Sequence, residues 1–268
     1  MAFLLALAVV LALATAGTAS AHQGNPAAAA AGPGTKVSLR GCFLTAVFVP
    51  RKAAALQPFF RRPLDLGMTF YGPDPLLGLW AFACDGARVA GKPAGSVTAS
   101  LVSVPTGLTS PEALPLANNF ASALVRVDTT SKPFARALEK ARLPARLVRK
   151  ASYRHSPGAA VPWRGRLAVR GSYAVTVRAT DLDPTNPHDH ANRFDHLAEK
   201  GRAGTLTVAI QNALDRFCFP AGGSCTASVK AERGSLVARL IGGREAIVRA
   251  GFDHAKLPRV TLVLRRTG

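Results

Sequence analysis

Acidic side chains are scarce in this sequence. Its 268 residues carry 15 Asp and Glu against 34 Lys and Arg, a formal charge of +19. Among so few carboxylates, no pair stands out as the acid and base of a glycosidase. Other catalytic signatures are missing as well. There is no Gly-x-Ser-x-Gly elbow for a hydrolytic serine, and Gly171-Ser172 and Gly234-Ser235 lack its flanks. No P-loop or dinucleotide fingerprint occurs, since Gly86, Gly91 and Gly95 are scattered turn glycines. No cofactor is therefore expected. Aromatic residues make up only 7%, and the two tryptophans, Trp80 and Trp163, read as core or rim packing rather than a sugar platform.

Long apolar runs are also absent beyond the first 21 residues, because charges interrupt every later one. The opening run is the exception. Met1–Ala21 has no charged side chain and ends in Ala19-Ser20-Ala21, the small-x-small pattern of a signal-peptide cleavage site. It lacks the usual Lys or Arg at its start, which leaves an uncleaved anchor as the alternative. The run is short for a span and has no stop-transfer flank, so cleavage and export are expected. A low-complexity linker follows over 22–35, and 36–268 reads as one domain. His22 would then begin the mature chain, where amine and imidazole can chelate copper. The flexible Ala/Gly/Pro tract after it argues against that use.

Export changes the meaning of the cysteines and of the charge. Four cysteines in an oxidising compartment suggest two disulfides. Phe-Pro-Ala-Gly-Gly-Ser between Cys218 and Cys225 is a turn sequence, which suggests that pair and leaves Cys42 with Cys84. A zinc site is the rival, but there is no C-x-x-C pair or close His to support it. A field this positive favours polyanions. Yet the cations are dispersed, in runs no longer than pairs such as Arg61-Arg62 and Arg265-Arg266. Most of the charge thus reads as compositional, with polyanion binding at the surface as an alternative and no specific nucleic acid partner.

Strand patterns dominate from Lys36 onward. Gly41–Val49 and Leu76–Cys84 are apolar on both faces, Gly86–Gly95 reads as a turn, and Ser96–Val104 as a further strand. Clean alternation marks Tyr173–Ala179, Leu206–Ile210, Cys225–Ala231 and Val260–Leu264. Helical patterns are few: part of Arg51–Phe60, Ser131–Arg142 and Ser235–Ile241. The fold class expected is α+β, mainly β, an antiparallel barrel-like sheet with a few short helices.

The segment Val127–Arg149 reads Val-Asp-Thr-Thr-Ser-Lys-Pro-Phe-Ala-Arg-Ala-Leu-Glu-Lys-Ala-Arg-Leu-Pro-Ala-Arg-Leu-Val-Arg. It resembles the central stretch of the acetoacetate decarboxylase-like β-barrel family. There a strand ends in Asp, a short helix carries Gly-Arg-Glu, and an apolar-Pro-Lys-Lys sequence opens the next strand. Asp128, Glu139 and Pro144 match this pattern, while Leu138 replaces the family's Arg. Ala145 falls at the Schiff-base lysine and Arg146 at the second lysine. The resemblance implies the barrel but not the reaction. An imine requires a primary amine with a lowered pKa, which Ala lacks and a permanently protonated Arg cannot supply. Lys140 and Lys150 flank the motif and would aim elsewhere. Arg146, oriented by Glu139, is expected to hold an acidic or amphipathic small molecule at the barrel mouth. The plainer alternative makes Arg146, Lys150 and Arg154 one solvated strand edge.

A second cluster places His188, His190 and His196 with Asp189 and Asp195 inside Pro187–His196. Imidazole and carboxylate suit a borderline metal, and His-x-His on a strand aims both rings one way. A helix over Asp189–Lys200 would instead send His190 and His196 apart. A metal-dependent enzyme built on these histidines is the third reading of function.

Overall fold

The period-two patterns become two sheets. A computed structural model of the chain describes residues 34–60, 75–105, 120–156, 163–180, 192–198, 204–211, 214–218, 225–248 and 252–266. The expected signal peptide, His22 and the expected linker up to residue 33 lie outside the described residues, and Thr35, assigned to the linker, already opens the first strand. Among the described residues nine strands form the larger sheet: β1 (Thr35–Pro50), β2 (Leu76–Val89), β3 (Lys92–Pro105), β4 (Phe120–Thr129), β5 (Ala145–Leu147), β9 (Asn192–Ala198), β10 (Gly204–Gln211), β11 (Leu214–Cys218) and β14 (Phe252–Arg266). Its order runs β1-β2-β3-β4-β9-β10-β14, and β14 also pairs with β1, so these strands close on themselves. Pairing is antiparallel except where β4 meets β5 and β9. The smaller sheet has the order β13-β12-β8-β7-β6, from β6 (Ala151–His155), β7 (Trp163–Val169), β8 (Tyr173–Ala179), β12 (Cys225–Ala231) and β13 (Glu245–Val248). This is an α+β, mainly β architecture.

The two-sided apolar strands have a direct cause. On β1 and β2, Val47, Val49, Leu77, Leu79 and Ala81 pack beneath the smaller sheet, against Trp163, Leu167, Val175 and Val177. Their other faces, with Leu39, Leu44, Phe82 and Cys84, fill the barrel interior together with Leu101, Phe134, Leu206 and Leu262. Each strand separates two cores, so neither face is wet.

Helix α1 (Ala53–Leu56) continues into a 3-10 turn, Gln57–Phe59. Helix α2 (Lys132–Lys140) starts at Ser131, whose hydroxyl accepts from the Phe134 amide, and buries Phe134, Ala135, Ala137 and Leu138. Helix α3 (Leu236–Ile241) is capped by Ser235 and stopped by Gly242 in the left-handed conformation.

One local expectation is corrected, and one open alternative is decided. The turn expected over Gly86–Gly95 is much tighter: β2 and β3 run on to Val89 and from Lys92, joined by Ala90 and Gly91 with φ of 48° and 79°. Both residues adopt the positive φ that a two-residue hairpin demands, so the strands need not splay. A helix over Asp189–Lys200 does not form either. Asn192–Ala198 is β9, and the pairing it gains from β4 and β10 outweighs local propensity.

Cys42 and Cys84 sit directly opposite each other on β1 and β2 and form a disulfide. Cys225 is also disulfide-bonded. The side chain of its expected partner, Cys218, lies outside the described residues. No helix among the described residues is long and apolar enough to cross a membrane.

Candidate functional site

The motif that carried the resemblance folds at the junction of the two sheets. Strand β4 ends near Asp128, a residue only 1% exposed. The parallel register of β5 sets Arg146 beside it. Arg146 donates from Nε to Oδ1 at 2.8 Å and from Nη2 to Oδ2 at 3.1 Å, a bidentate grip on the whole carboxylate. Its Nη1 donates to the carbonyl of Gly171 at 3.2 Å. Arg126, two residues before Asp128 and so on the same strand face, places Nε 3.0 Å from Oδ1. Its Nη2 donates to the Ser172 hydroxyl at 2.7 Å. Two guanidinium groups on one carboxylate thus tie the barrel to the 170–172 turn of the smaller sheet.

Burial sets the electrostatics here. Desolvation lowers the Arg126 pKa most; the Asp128 charge opposes the shift and the Arg146 charge adds to it. The Arg126 guanidinium nevertheless remains charged. Ser100 faces Asp128 across β3 and β4, and its hydroxyl shares a hydrogen bond with the buried Tyr173 hydroxyl. Burial pushes the Tyr173 phenol well above its usual pKa, with the Ser100 hydrogen bond pulling the other way.

Ala145, next to Arg146, takes the opposite face of β5. It packs against the cluster that fills the barrel interior. That interior holds a cavity of about 40 Å³, lined by Leu39, Cys42, Leu44, Trp80, Phe82, Leu101, Phe134 and other apolar residues, including Val208 and Leu262. Among the described residues, no side chain that lines it carries an amine, guanidinium or carboxylate. Trp80 lines it with its Nε1 donating to the Ser103 hydroxyl at 3.0 Å. Trp163, by contrast, is wholly buried between the sheets.

Only part of the site expected from sequence comes together. Arg146 and Asp128 meet, but Glu139 lies exposed on α2, so the carboxylate that orients Arg146 is Asp128. Arg146 and Arg154 do not share a strand edge, because the chain leaves β5 at Leu147 and enters β6 at Ala151. Lys140 and Lys150 are exposed. Of the histidines, His188 and His190 lie outside the described residues, and His196 is described only as a backbone position on β9. No cluster of three potential metal ligands occurs among the described residues. Sequence reading missed Arg126, Ser100 and Tyr173. The Arg-x-Asp spacing was a signal for the first; nothing local indicates that Ser100 and Tyr173 meet.

A solved acetoacetate decarboxylase superposes with a TM-score of 0.52, covering 86% of this chain and 87% of its own, at 12% identity. The fold is acetoacetate decarboxylase-like. An acetoacetate decarboxylase-like enzyme from Sphingomonas wittichii RW1 gives 0.48 at 11% identity, over 92% of this chain and 99% of that one. Acetoacetate decarboxylase from Legionella pneumophila subsp. pneumophila str. Philadelphia 1 gives 0.45 at 11% identity, over 89% and 87%. No protein-family model and no curated protein sequence matches the chain.

Proposed function

We propose that this chain is an exported protein that uses the acetoacetate decarboxylase-like fold to bind a small molecule and does not decarboxylate through an imine. The observation that carries this reading is Ala145, set against a barrel interior whose cavity is lined, among the described residues, by apolar side chains. Imine formation joins a lysine amine to a ketone with loss of water, and among the described residues the cavity lining offers no amine for it.

The same lining favours an amphipathic ligand over a strongly acidic one. An apolar cavity rewards burial of an apolar group and supplies nothing to compensate a desolvated charge. Its volume of about 40 Å³ is well below the roughly 150 Å³ that accommodates benzene, which points to a short or slender apolar group. Arg146 stands on the other side of β5 and is already engaged by Asp128. An acidic head group is thus left outside the cavity.

Two measurements test the reading. Borohydride with acetoacetate should trap no adduct on the intact protein, and a lysine-linked adduct would overturn the claim. Leu101→Phe, which fills the cavity, should abolish binding of short-chain aliphatic alcohols or acids detected by Trp80 fluorescence. Unchanged binding would place the ligand elsewhere.

A further inference from the structure

The smaller sheet turns one face to the core and the other to solvent. On the outer face, antiparallel register sets Arg154 directly opposite Arg166, and Arg164 directly opposite Arg178. All four are exposed, while the alternate residues Trp163, Leu167, Val175 and Val177 are buried. Side chains opposed in this way have Cβ atoms about 4.5–5.5 Å apart, and like charges there repel. The two pairs occupy adjacent rows, about 7 Å apart along the strands. Among the described residues, none of these four guanidinium groups has a carboxylate partner. The one ion pair found there on this face joins Lys230 to Glu245 at 3.3 Å, and both are largely exposed.

The face continues into a depression of about 390 Å³ at the end of the sheet. Ser152, Ala168 and Ala174, consecutive cross-strand neighbours, form its floor. Lys150, Arg170, Lys230 and Arg244 stand around it with Glu232. Small residues below and long cations around make a basic trough beside the arginine rows. Cations that look dispersed along the chain are gathered here by strand register.

We propose that this outer face docks an acidic polysaccharide, with uronate carboxylates spanning the arginine pairs and the polymer passing over the trough. Guanidinium forks match carboxylates in a bidentate way. Hydroxyl groups of Ser152, Thr176 and Ser228 on the same face can meet sugar hydroxyls. Among the described residues the one aromatic ring at the trough, Tyr173, is buried and offers no surface on which nucleic acid bases could stack. Ile247, 81% exposed, is its one large exposed apolar side chain among them, too little to enter a bilayer. The face shares no residue with the barrel cavity, and its role is independent of what the cavity binds.

The test uses the full chain with polygalacturonate as probe and neutral dextran, polyphosphate and single-stranded RNA as comparators. Polygalacturonate should bind with affinity that falls as salt rises, and dextran should not bind. The quadruple variant R154S/R164S/R166S/R178S should lose about tenfold or more in affinity and show a shallower salt dependence. It should unfold at a temperature no lower than the wild type in the absence of polymer, because two repulsive pairs are gone. The variant R88S/R136S/K140S/R266S removes the same charge from exposed sites elsewhere and should bind within about twofold of wild type. Equal losses in both variants would reduce the effect to net charge and overturn the assignment. So would tighter binding of polyphosphate or RNA than of polygalacturonate, or no polymer binding at low salt.

Discussion

Arg146 and Asp128 are joined by two parallel hydrogen bonds of 2.8 and 3.1 Å, and the carboxylate they close around has no exposed side-chain surface. Asp128 is therefore the hub and Arg146 a spoke. Removing the hub strands two guanidinium groups, whereas removing the spoke leaves Asp128 with Arg126. Asp128→Ala should cost about 3–5 kcal/mol, the usual loss when one side of a buried ion pair is deleted. Arg146→Ala should cost clearly less. Urea denaturation midpoints would show the order, and a larger loss for Arg146→Ala would refute it.

Tyr173 makes stability depend on alkaline pH. Burial raises its pKa in the folded protein, so below about pH 10 both states hold the proton and nothing changes. Above that, the unfolded chain ionises first and binds fewer protons, and stability falls as pH rises. Between about pH 10 and 11 the wild type should lose on the order of 1 kcal/mol more than Tyr173→Phe. Parallel slopes for the two proteins in denaturant titrations would contradict this.

The Cys42–Cys84 disulfide spans a sequence separation of 42 residues. Chain-entropy arguments give about 4 kcal/mol for a loop of that size. The double serine variant should show that loss in guanidinium denaturation, and reducing agent should leave its stability unchanged apart from the contribution of Cys225. A double variant as stable as the oxidised wild type would mean the link contributes nothing.

Ala90 holds a φ of 48° in the hairpin between β2 and β3. A left-handed backbone costs a non-glycine residue about 1–2 kcal/mol, and glycine gives part of that back through its freer unfolded state. Ala90→Gly should thus stabilise the protein by up to about 1 kcal/mol. Thermal unfolding would detect it, and a lower midpoint would count against the turn geometry.

Periodicity made much of this fold legible. Tyr173–Ala179 and Cys225–Ala231 run between the very residues where the alternation begins and ends. Ser131 and Ser235 marked two helix starts because a hydroxyl there satisfies an amide that the helix leaves open. The Asp128–Arg146 pairing was half visible: the motif pointed to both residues, but Glu139 looked the nearer carboxylate along the chain. Parallel pairing of β4 with β5 decides otherwise, and no local pattern encodes it. The same limit hid the opposed arginines. Arg164 and Arg178 become neighbours only through the register of β7 and β8, a property of two segments together.

Closure of the barrel has a kinetic consequence. Strand β1 needs β14 along most of its length, with Thr35 opposite Leu264 and Val47 opposite Phe252. No contact between neighbours in sequence can stand in for that seam, so the rim stays unsealed until the final strand arrives. Such long-range pairing predicts slow folding. Until it is complete, β1 and β10 present open hydrogen-bonding edges to other chains. A chain shortened before β14 would therefore tend to aggregate rather than settle into a smaller barrel.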